Sequence, residues 1–361
     1  MILSHLPRAF FIVTVLAVPA VRAWDYEGHR VVNQLALQAL PAEFPTFVRE
    51  PSAAERIAFL GGEPDRWRNV PDGPLRQSGG SWTDHFCDVE QLQDAGLDPA
   101  TLTSFRFDFV VAYAAGRAAH PDKFPAINPA KNSDHTREWP GFLPWTITEY
   151  YGRLKSAFSY LRTFQELGTP EEIANAQANA IYVMGTLGHF VGDCSQPLHT
   201  TIHHHEWVGP NPQGYAVWSG FHSWIDGGFI KKAGISTASL APKLTVAQPL
   251  AVGPRGDGRD PLFVAVLDYM TAQHRLVEPL YQLEKAGKLS DELEHSGKFN
   301  QDTAPVNEEG RAFVEGQLLK GGQMLAAIWL TAWRTAPVDT YLQGQLQKRQ
   351  GIKPAPTAKK E

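Results

Sequence analysis

The sequence predicts an all-α protein, a single mainly helical domain with long loops. Apolar residues recur at helical spacing in four segments, alternating strand patterns are scarce, and Pro-rich and Gly-rich stretches separate the periodic segments. The length permits one large domain or two smaller ones, but no linker divides the chain. The four periodic segments are residues 28–40, 149–167, 170–191 and 308–336.

Each segment has a simple interpretation. In residues 28–40, Val31, Val32 and Leu35 fall on one helix face. Residues 105–115 fit a strand or a helix equally well. Residues 209–214 and 242–261 have loop composition, and the apolar face of residues 317–333 predicts core. We place the domain at 24–340 and expect the polar tail, 341–361, to be disordered.

Residues 1–23 are typical of a secretory signal peptide. Arg8 precedes an apolar run that ends at Val21, and Ala23 completes a small-residue cleavage pattern. The run is too short for a stable membrane anchor. A buried N-terminal helix is the alternative. Cleavage after Ala23 predicts a secreted or periplasmic protein with Trp24 as its N-terminus.

Net charge constrains the substrate. The formal charge is −5, and because residues 1–23 contain two arginines and no acidic residue, it becomes −7 without them. Such a protein has no overall field that attracts nucleic acid or membrane phosphates. If the substrate is an anion, bound metal ions must supply the local positive charge.

Histidines and aspartates recur at helical spacing. His189 and Asp193 are four residues apart, which places them on one helix face, and His199 follows just beyond Pro197. His222 and Asp226 repeat the spacing. Alone, such a pair is more often a salt-bridged core histidine than a metal ligand.

Two further segments carry the same chemistry. His85 lies between the carboxylates of Asp84 and Asp88, and His29 follows Trp24 closely. Several such elements without thiolate ligand spacing favour zinc bound by imidazole and carboxylate.

In the order and spacing of these four elements, the sequence resembles the trinuclear-zinc, single-strand-specific nucleases of the nuclease P-one and S-one type. Those enzymes share a helical fold with bacterial zinc-dependent phospholipase C. The resemblance covers residues 24–226 through the motifs and the last long helix more loosely. It implies three zinc ions, single-stranded RNA or DNA as substrate, 5'-phosphate products, and a monomer without a protein partner.

The resemblance implies which residues bind each ion. Asp193 would bridge two ions, and Asp72 or Asp84 could replace Asp65, which lacks the Trp-Ala that usually precedes it. The implied sets are Asp65, His85, His189 and Asp193 for one ion, the amine and carbonyl of Trp24 with His29 and Asp193 for a second, and His199, His222 and Asp226 for the third.

The resemblance also implies roles for residues that are not ligands. Arg68 would clamp the phosphate, Asp88 would orient the attacking water beside the Asp193-bridged pair, and Phe86 would stack on a base. A core position for Phe86 is equally open. The Gly-Gly-Asn turn of the family is absent here, and the stretch between His85 and His189 is longer than usual.

Two further features leave alternatives open. Cys87 and Cys194 each lie within two residues of an expected ligand, so a disulfide bracing the site competes with two buried thiols. Residues His203, His204 and His205 predict a solvated loop rather than a metal site, because consecutive side chains point in different directions.

We therefore expect a zinc-dependent phosphodiesterase, most concretely a single-strand nuclease that also acts as a 3'-nucleotidase. Zinc-dependent phospholipase C is the alternative enzyme, and a non-catalytic zinc-binding protein is the third hypothesis.

Overall fold

A computed structural model describes residues 24–68, 73–77, 82–289 and 305–352. The described residues form α-helices, short 3-10 turns and one π-helical turn, and they contain no β-strand. The predicted all-α class is thus confirmed. None of the described helices is both long and apolar enough to cross a membrane. The expected signal peptide, 1–23, lies outside the described residues.

The α-helices differ widely in length. In chain order they are α1 (Tyr26–Ala39), α2 (Pro51–Leu60), α3 (Glu63–Arg68), α4 (Gly73–Arg76), α5 (Val89–Asp94), α6 (Arg106–Ala119), α7 (Leu143–Leu167), α8 (Pro170–Ser195), α9 (Phe221–Ser223), α10 (Phe229–Lys232), α11 (Thr237–Leu240), α12 (Pro261–His274), α13 (Val277–Lys285), α14 (Glu308–Thr335) and α15 (Thr340–Arg349). The π-helical turn Trp224–Gly228 joins α9 to α10.

Helix α8 is the centre of the fold. It begins with a capping box, in which Thr169 and Glu172 satisfy each other's backbone amides, and it ends before Pro197. Its C-terminal half, from Met184 to Ser195, is buried on every side by α1, α2, α7 and α14. Groups that project from this half therefore lie in the interior rather than in water.

Glycine allows α1 to approach α8 closely. A Cβ atom at Gly188 would lie 1.6 Å from Oδ1 of Asn33, and one at Gly192 would lie 2.9 Å from Nδ1 of His29. Any larger residue would push α1 away. The close approach brings His29 next to the residues that α8 carries.

The amide of Asn33 joins three helices. Its Nδ2 donates to the carbonyls of Ile57 in α2, at 2.8 Å, and Gly185 in α8, at 3.1 Å, in a fully buried position. We expect Asn33→Ala to lower the free energy of unfolding by about 1–3 kcal/mol, measured by urea denaturation, because two buried bonds are lost. Gln38→Ala, on the exposed face of α1, should change it by less than about 0.5 kcal/mol. Equal effects of the two changes would contradict this role of Asn33.

The structure resolves one open question and corrects one prediction. Residues 105–115, which fitted strand or helix, fall almost entirely within helix α6. The tail was expected to be disordered from 341, yet α15 packs on α7, and Arg349 pairs with Glu172 at 2.8 Å. A single apolar contact at Leu346, 4 % exposed, anchors this otherwise polar helix. The core prediction for residues 317–333 is confirmed, since Leu318, Leu325, Ile328 and Trp329 are fully buried.

Candidate metal centre

Three groups of buried His and Asp side chains could each hold a metal ion. Within each group, the ligand atoms lie within 4.8 Å of one another. The groups are His29, His189 and Asp193 (group A); Asp65, His85 and His189 (group B); and His199, His222 and Asp226 (group C). Every residue expected to bind a metal through its side chain is therefore present in one of them.

The carboxylate of Asp193 faces two groups at once. Its Oδ1 lies 3.4 Å from Nε2 of His29, whereas its Oδ2 lies 3.1 Å from Nδ1 of His85 and 3.3 Å from Nε2 of His189. One oxygen is thus directed toward group A and the other toward group B. This is the arrangement of a carboxylate that can bridge two ions.

Backbone carbonyls orient two of the imidazoles. Nδ1 of His189 is 2.6 Å from the carbonyl of Gly61, and Nδ1 of His199 is 2.8 Å from the carbonyl of His85. When Nδ1 carries the proton and donates it to the carbonyl, Nε2 keeps a free electron pair. This is the tautomer that binds a metal through Nε2. The two rings therefore direct Nε2 into groups A, B and C.

Group C depends on the π-helical turn. Asp226 lies within that turn, and its Oδ2 is 2.9 Å from Nε2 of His222 one turn earlier. Nε2 of His222 is also 3.0 Å from Nε2 of His199. Gln196 donates to Oδ1 of Asp226 at 2.7 Å and fixes the carboxylate. Single π turns of this kind occur often at functional sites.

Unpaired polar atoms support metal binding. Both ring nitrogens of His29, Nε2 of His85 and Oδ1 of Asp193 are buried, and none of them has a hydrogen-bond partner among the described residues. Leaving such atoms buried and unpaired costs about 1–3 kcal/mol each, and native structures rarely tolerate it. The donor set, imidazole nitrogen with carboxylate oxygen, suits zinc. The residues therefore fit the implied ions.

Burial keeps most of these imidazoles neutral. It lowers the pKa of His29 well below the ordinary value, and burial with the nearby Arg68 lowers the pKa of His85 to about 4 and that of His222 to about 3. Burial also opposes the charge of Asp193, but His189 and His199 outweigh it and hold the pKa of this carboxyl well below its usual range. Neutral imidazole and ionised carboxylate are the protonation states that metal binding requires.

Asp84, one of the two possible substitutes for Asp65, belongs to none of the three groups. Its Oδ1 accepts from Arg106 at 2.9 Å and from the hydroxyl of Thr146 at 2.7 Å, outside all three groups. Asp72 lies outside the described residues. Asp65 itself is in group B, 3.9 Å from Nε2 of His189.

The side chain of Trp24 is fully buried beside the centre. Its indole donates to the hydroxyl of Ser195 at 3.0 Å, and its ring approaches Gly192 together with His29. Coordination by the main-chain amine and carbonyl of Trp24 stays a prediction.

One cleft opens over groups B and C. It encloses about 420 Å³. Its walls combine metal-group histidines with cations and aromatic rings. They include Arg68, Arg76, Trp82, His85, Phe86, Asp88, Gln91, Lys131, Asp134, Thr136, Arg137, Trp139, Leu198, His199, His204, His205 and His222.

The three expected residues that are not ligands all line this cleft. Arg68 is only 9 % exposed and pairs with Oδ1 of Asp65 at 2.8 Å. Phe86 is half-buried rather than a core aromatic. Asp88 is 4 % exposed, and Gln91 donates to its Oδ2. Its Oδ1 has no hydrogen-bond partner within the part of the chain that the structure describes. Burial, with Glu90 nearby, raises the pKa of Asp88 well above the usual value.

The sequence interpretation of the histidine run was wrong in part. Residues 203–205 are half-buried, and His204 and His205 line the cleft instead of lying in a solvated loop. The ring centroid of His205 is 5.6 Å from that of His222 in group C. The sequence offered one signal for this placement, because His204 and His205 follow the expected ligand His199 by only a few residues. Arg76, Lys131 and Arg137 were also missed, because an isolated cation gives no sequence signal.

Of the two alternatives for the cysteines, the structure has the free, buried thiols and not the disulfide. Burial raises the pKa of both thiols, which keeps them protonated and unreactive. We therefore expect alkylation of denatured, unreduced protein to modify Cys87 and Cys194 both, giving two adducts by mass spectrometry. Native protein should remain unmodified under the same reagent. A denatured chain without adducts would instead show that the disulfide forms.

A scan against protein-family models and a search of curated proteins both found no match for this chain. The chemistry of the site must therefore be argued from its own geometry.

Proposed function

We propose that this protein is an exported zinc-dependent phosphodiesterase that cleaves single-stranded RNA or DNA to 5'-phosphate products. The observation that carries the proposal is the convergence of two metal groups and a nearly buried arginine on one cleft. Phosphodiesters resist hydrolysis because their charge repels a nucleophile, and a site of this composition counters that charge.

Three zinc ions would be held by the three groups of histidine and aspartate side chains, with Asp193 shared between A and B. Bound zinc supplies an activated water and neutralises charge on the phosphoryl oxygens and the leaving oxygen. The main-chain amine of Trp24 would complete group A, so removal of residues 1–23 would precede full loading.

The protein's own groups position the substrate. Arg68 would hold two phosphate oxygens with its planar guanidinium, which Asp65 already fixes in place. Asp88 would hydrogen-bond the attacking water through Oδ1, the oxygen without a partner. Phe86 would stack on a base, which requires an unpaired strand and tolerates any sequence.

The cleft also matches an anionic substrate by charge. Four cationic side chains and two aspartates line it, in a chain whose formal charge is −5. Local positive charge of this kind concentrates a polyanion at the site even when the whole protein is acidic.

Zinc-dependent phospholipase C is the second candidate. Phe107 is 85 % exposed and Val111 is 70 % exposed on α6. The same helix contacts the wall of the cleft, because Arg117 donates to the carbonyl of Glu138. Exposed apolar side chains on one helix face can enter a lipid surface.

One assay separates the hypotheses. We expect the zinc-loaded protein without residues 1–23 to release acid-soluble nucleotides from single-stranded DNA and RNA, and EDTA to stop the release. Phosphatidylcholine vesicles, run in parallel, should remain intact. Lipid hydrolysis without nucleotide release would favour the phospholipase. If the zinc-loaded protein hydrolyses neither nucleic acid nor lipid, the non-catalytic hypothesis is favoured.

A further inference from the structure

One wall of the cleft is a long loop, residues 129–139, which we name the cleft loop. It is fixed to α4 at its middle. Oδ2 of Asp134 accepts from Arg76 at 2.8 Å, and its backbone carbonyl accepts from Gln77 at 2.9 Å. The loop therefore has a defined position relative to α4.

The end of the cleft loop is fixed to α6 and to the segment that follows His85. The carbonyl of Glu138 accepts from Arg117 at 3.0 Å, and the carbonyl of Pro140 accepts from the amide of Asp88 at 2.6 Å. Gly141 has φ +93°, and a Cβ atom there would lie 2.0 Å from the carbonyl of Phe86. The chain thus lies directly on the segment that carries Phe86 and Asp88.

Hydrogen bonds inside the loop fix its shape. Asn132, 7 % exposed, donates to Oε1 of Glu138 at 2.7 Å and accepts from the amide of Arg137 at 3.0 Å. Nε of Arg137 donates to the carbonyl of Lys131 at 2.6 Å. The last bond holds two cationic residues next to each other.

Among the described residues, no carboxylate forms an ion pair with either of these two cations. Lys131 and Arg137 both line the cleft and are exposed. Arg76 differs, because Asp134 neutralises it. Two cations held close together on an exposed surface attract an anion more strongly than either does alone. Trp139, half-buried, lines the cleft beside them.

We propose that Lys131 and Arg137 form a second phosphate site, which binds a phosphate of the strand other than the one at Arg68. This inference rests on the proposed function and narrows its substrate class. The preferred substrate is an oligonucleotide with several phosphates, and a compound with a single phosphodiester reaches only the metal centre.

The test removes both charges in Lys131→Gln/Arg137→Gln, which leaves every metal-group residue intact. With zinc-loaded protein, kcat/KM for decathymidylate should fall roughly tenfold at low salt, because charged phosphate contacts dominate affinity. The slope of log kcat/KM against log salt should become shallower by about 0.7, the value for one phosphate of a single strand that is no longer neutralised. For bis(p-nitrophenyl) phosphate, which has one phosphate, kcat/KM should change less than about twofold, because the second site is then empty.

A matched control is Lys231→Gln/Lys348→Gln, which removes two exposed cations that do not line the cleft. It should leave both the rate and the salt slope as in wild type. An unchanged salt slope in Lys131→Gln/Arg137→Gln, or an equal loss with bis(p-nitrophenyl) phosphate, would overturn the second phosphate site.

A binding measurement separates this inference from the proposed function. Fluorescent phosphorothioate decathymidylate, followed by anisotropy, should bind wild type more tightly than Lys131→Gln/Arg137→Gln. If wild type binds it in this way but hydrolyses no nucleic acid, the proposed function is wrong and the anion site stands. Equal affinities would reject the site whether or not wild type cleaves DNA.

Discussion

If the three groups hold the proposed zinc ions, Asp193→Ala should remove two of the three and lower kcat/KM on single-stranded DNA by roughly 10³-fold or more, since losing one electrostatic contact to a transition state already costs about 10²–10³. The reason is the division of its oxygens, with Oδ1 directed at His29 and Oδ2 at His85 and His189. Metal content per chain and initial rates measure the two effects.

Asp226→Ala is the matched comparison. Asp226 is equally buried but belongs to group C alone, so its loss should remove one ion and leave two. Asp193→Asn, which keeps the shape, should follow Asp193→Ala, because an amide is a poor zinc ligand. Circular dichroism must show that each variant is folded. Three ions per chain in folded Asp193→Ala, or an unchanged rate, would contradict the bridging role.

The helices that carry the site, and the side chains that meet there, could be predicted from the sequence, and the reason is physical. Helical spacing is local, so His189 and Asp193 must share a face wherever their helix lies. The same reasoning gave His222 and Asp226, although the turn between them is π-helical rather than α-helical. The slightly wider turn still places both side chains in group C.

Features that depend on tertiary contacts could not be read from the sequence. The cleft loop sits at the site because Gly141 fits against the backbone of Phe86, a contact between distant segments. Likewise, two contacts with distant segments hold α15 in place. Arg349 forms an ion pair with Glu172, and Leu346 is buried against the rest of the protein. Composition alone predicted disorder for that segment, because a polar sequence shows no apolar helix face that could pack on the core.

The sequence could not decide between a disulfide and two free thiols for a related reason. Proximity of Cys87 and Cys194 to the same ligands was correct, since each thiol lies next to the centre in a fully buried position. Proximity does not fix the geometry that a disulfide requires, in which Cβ atoms must face each other at a narrow distance. Sequence spacing cannot report that orientation.

Chelation of the metals should destabilise the folded protein strongly. Each bound ion stabilises the native state by about 2.7 kcal/mol when free zinc exceeds the dissociation constant 100-fold. Without the bound ion, buried atoms such as the ring nitrogens of His29 and Oδ1 of Asp193 have no partner among the described residues. We therefore expect EDTA followed by gel filtration to lower Tm by at least about 10 °C in calorimetry, since 1 kcal/mol shifts Tm by about 2–4 °C in a domain approaching this size.

Restoration of Tm by zinc, but not by magnesium, should distinguish nitrogen-rich sites from oxygen-rich ones. The variants sharpen this test. Because Asp193→Ala already lacks two ions, chelation should lower its Tm only about a third as much as that of wild type, and Asp226→Ala should lose about two thirds as much. A chelation shift that is the same in all three proteins would mean that the ions act elsewhere. A Tm unchanged by chelation in wild type would mean that the buried histidines and aspartates stabilise the fold without metal.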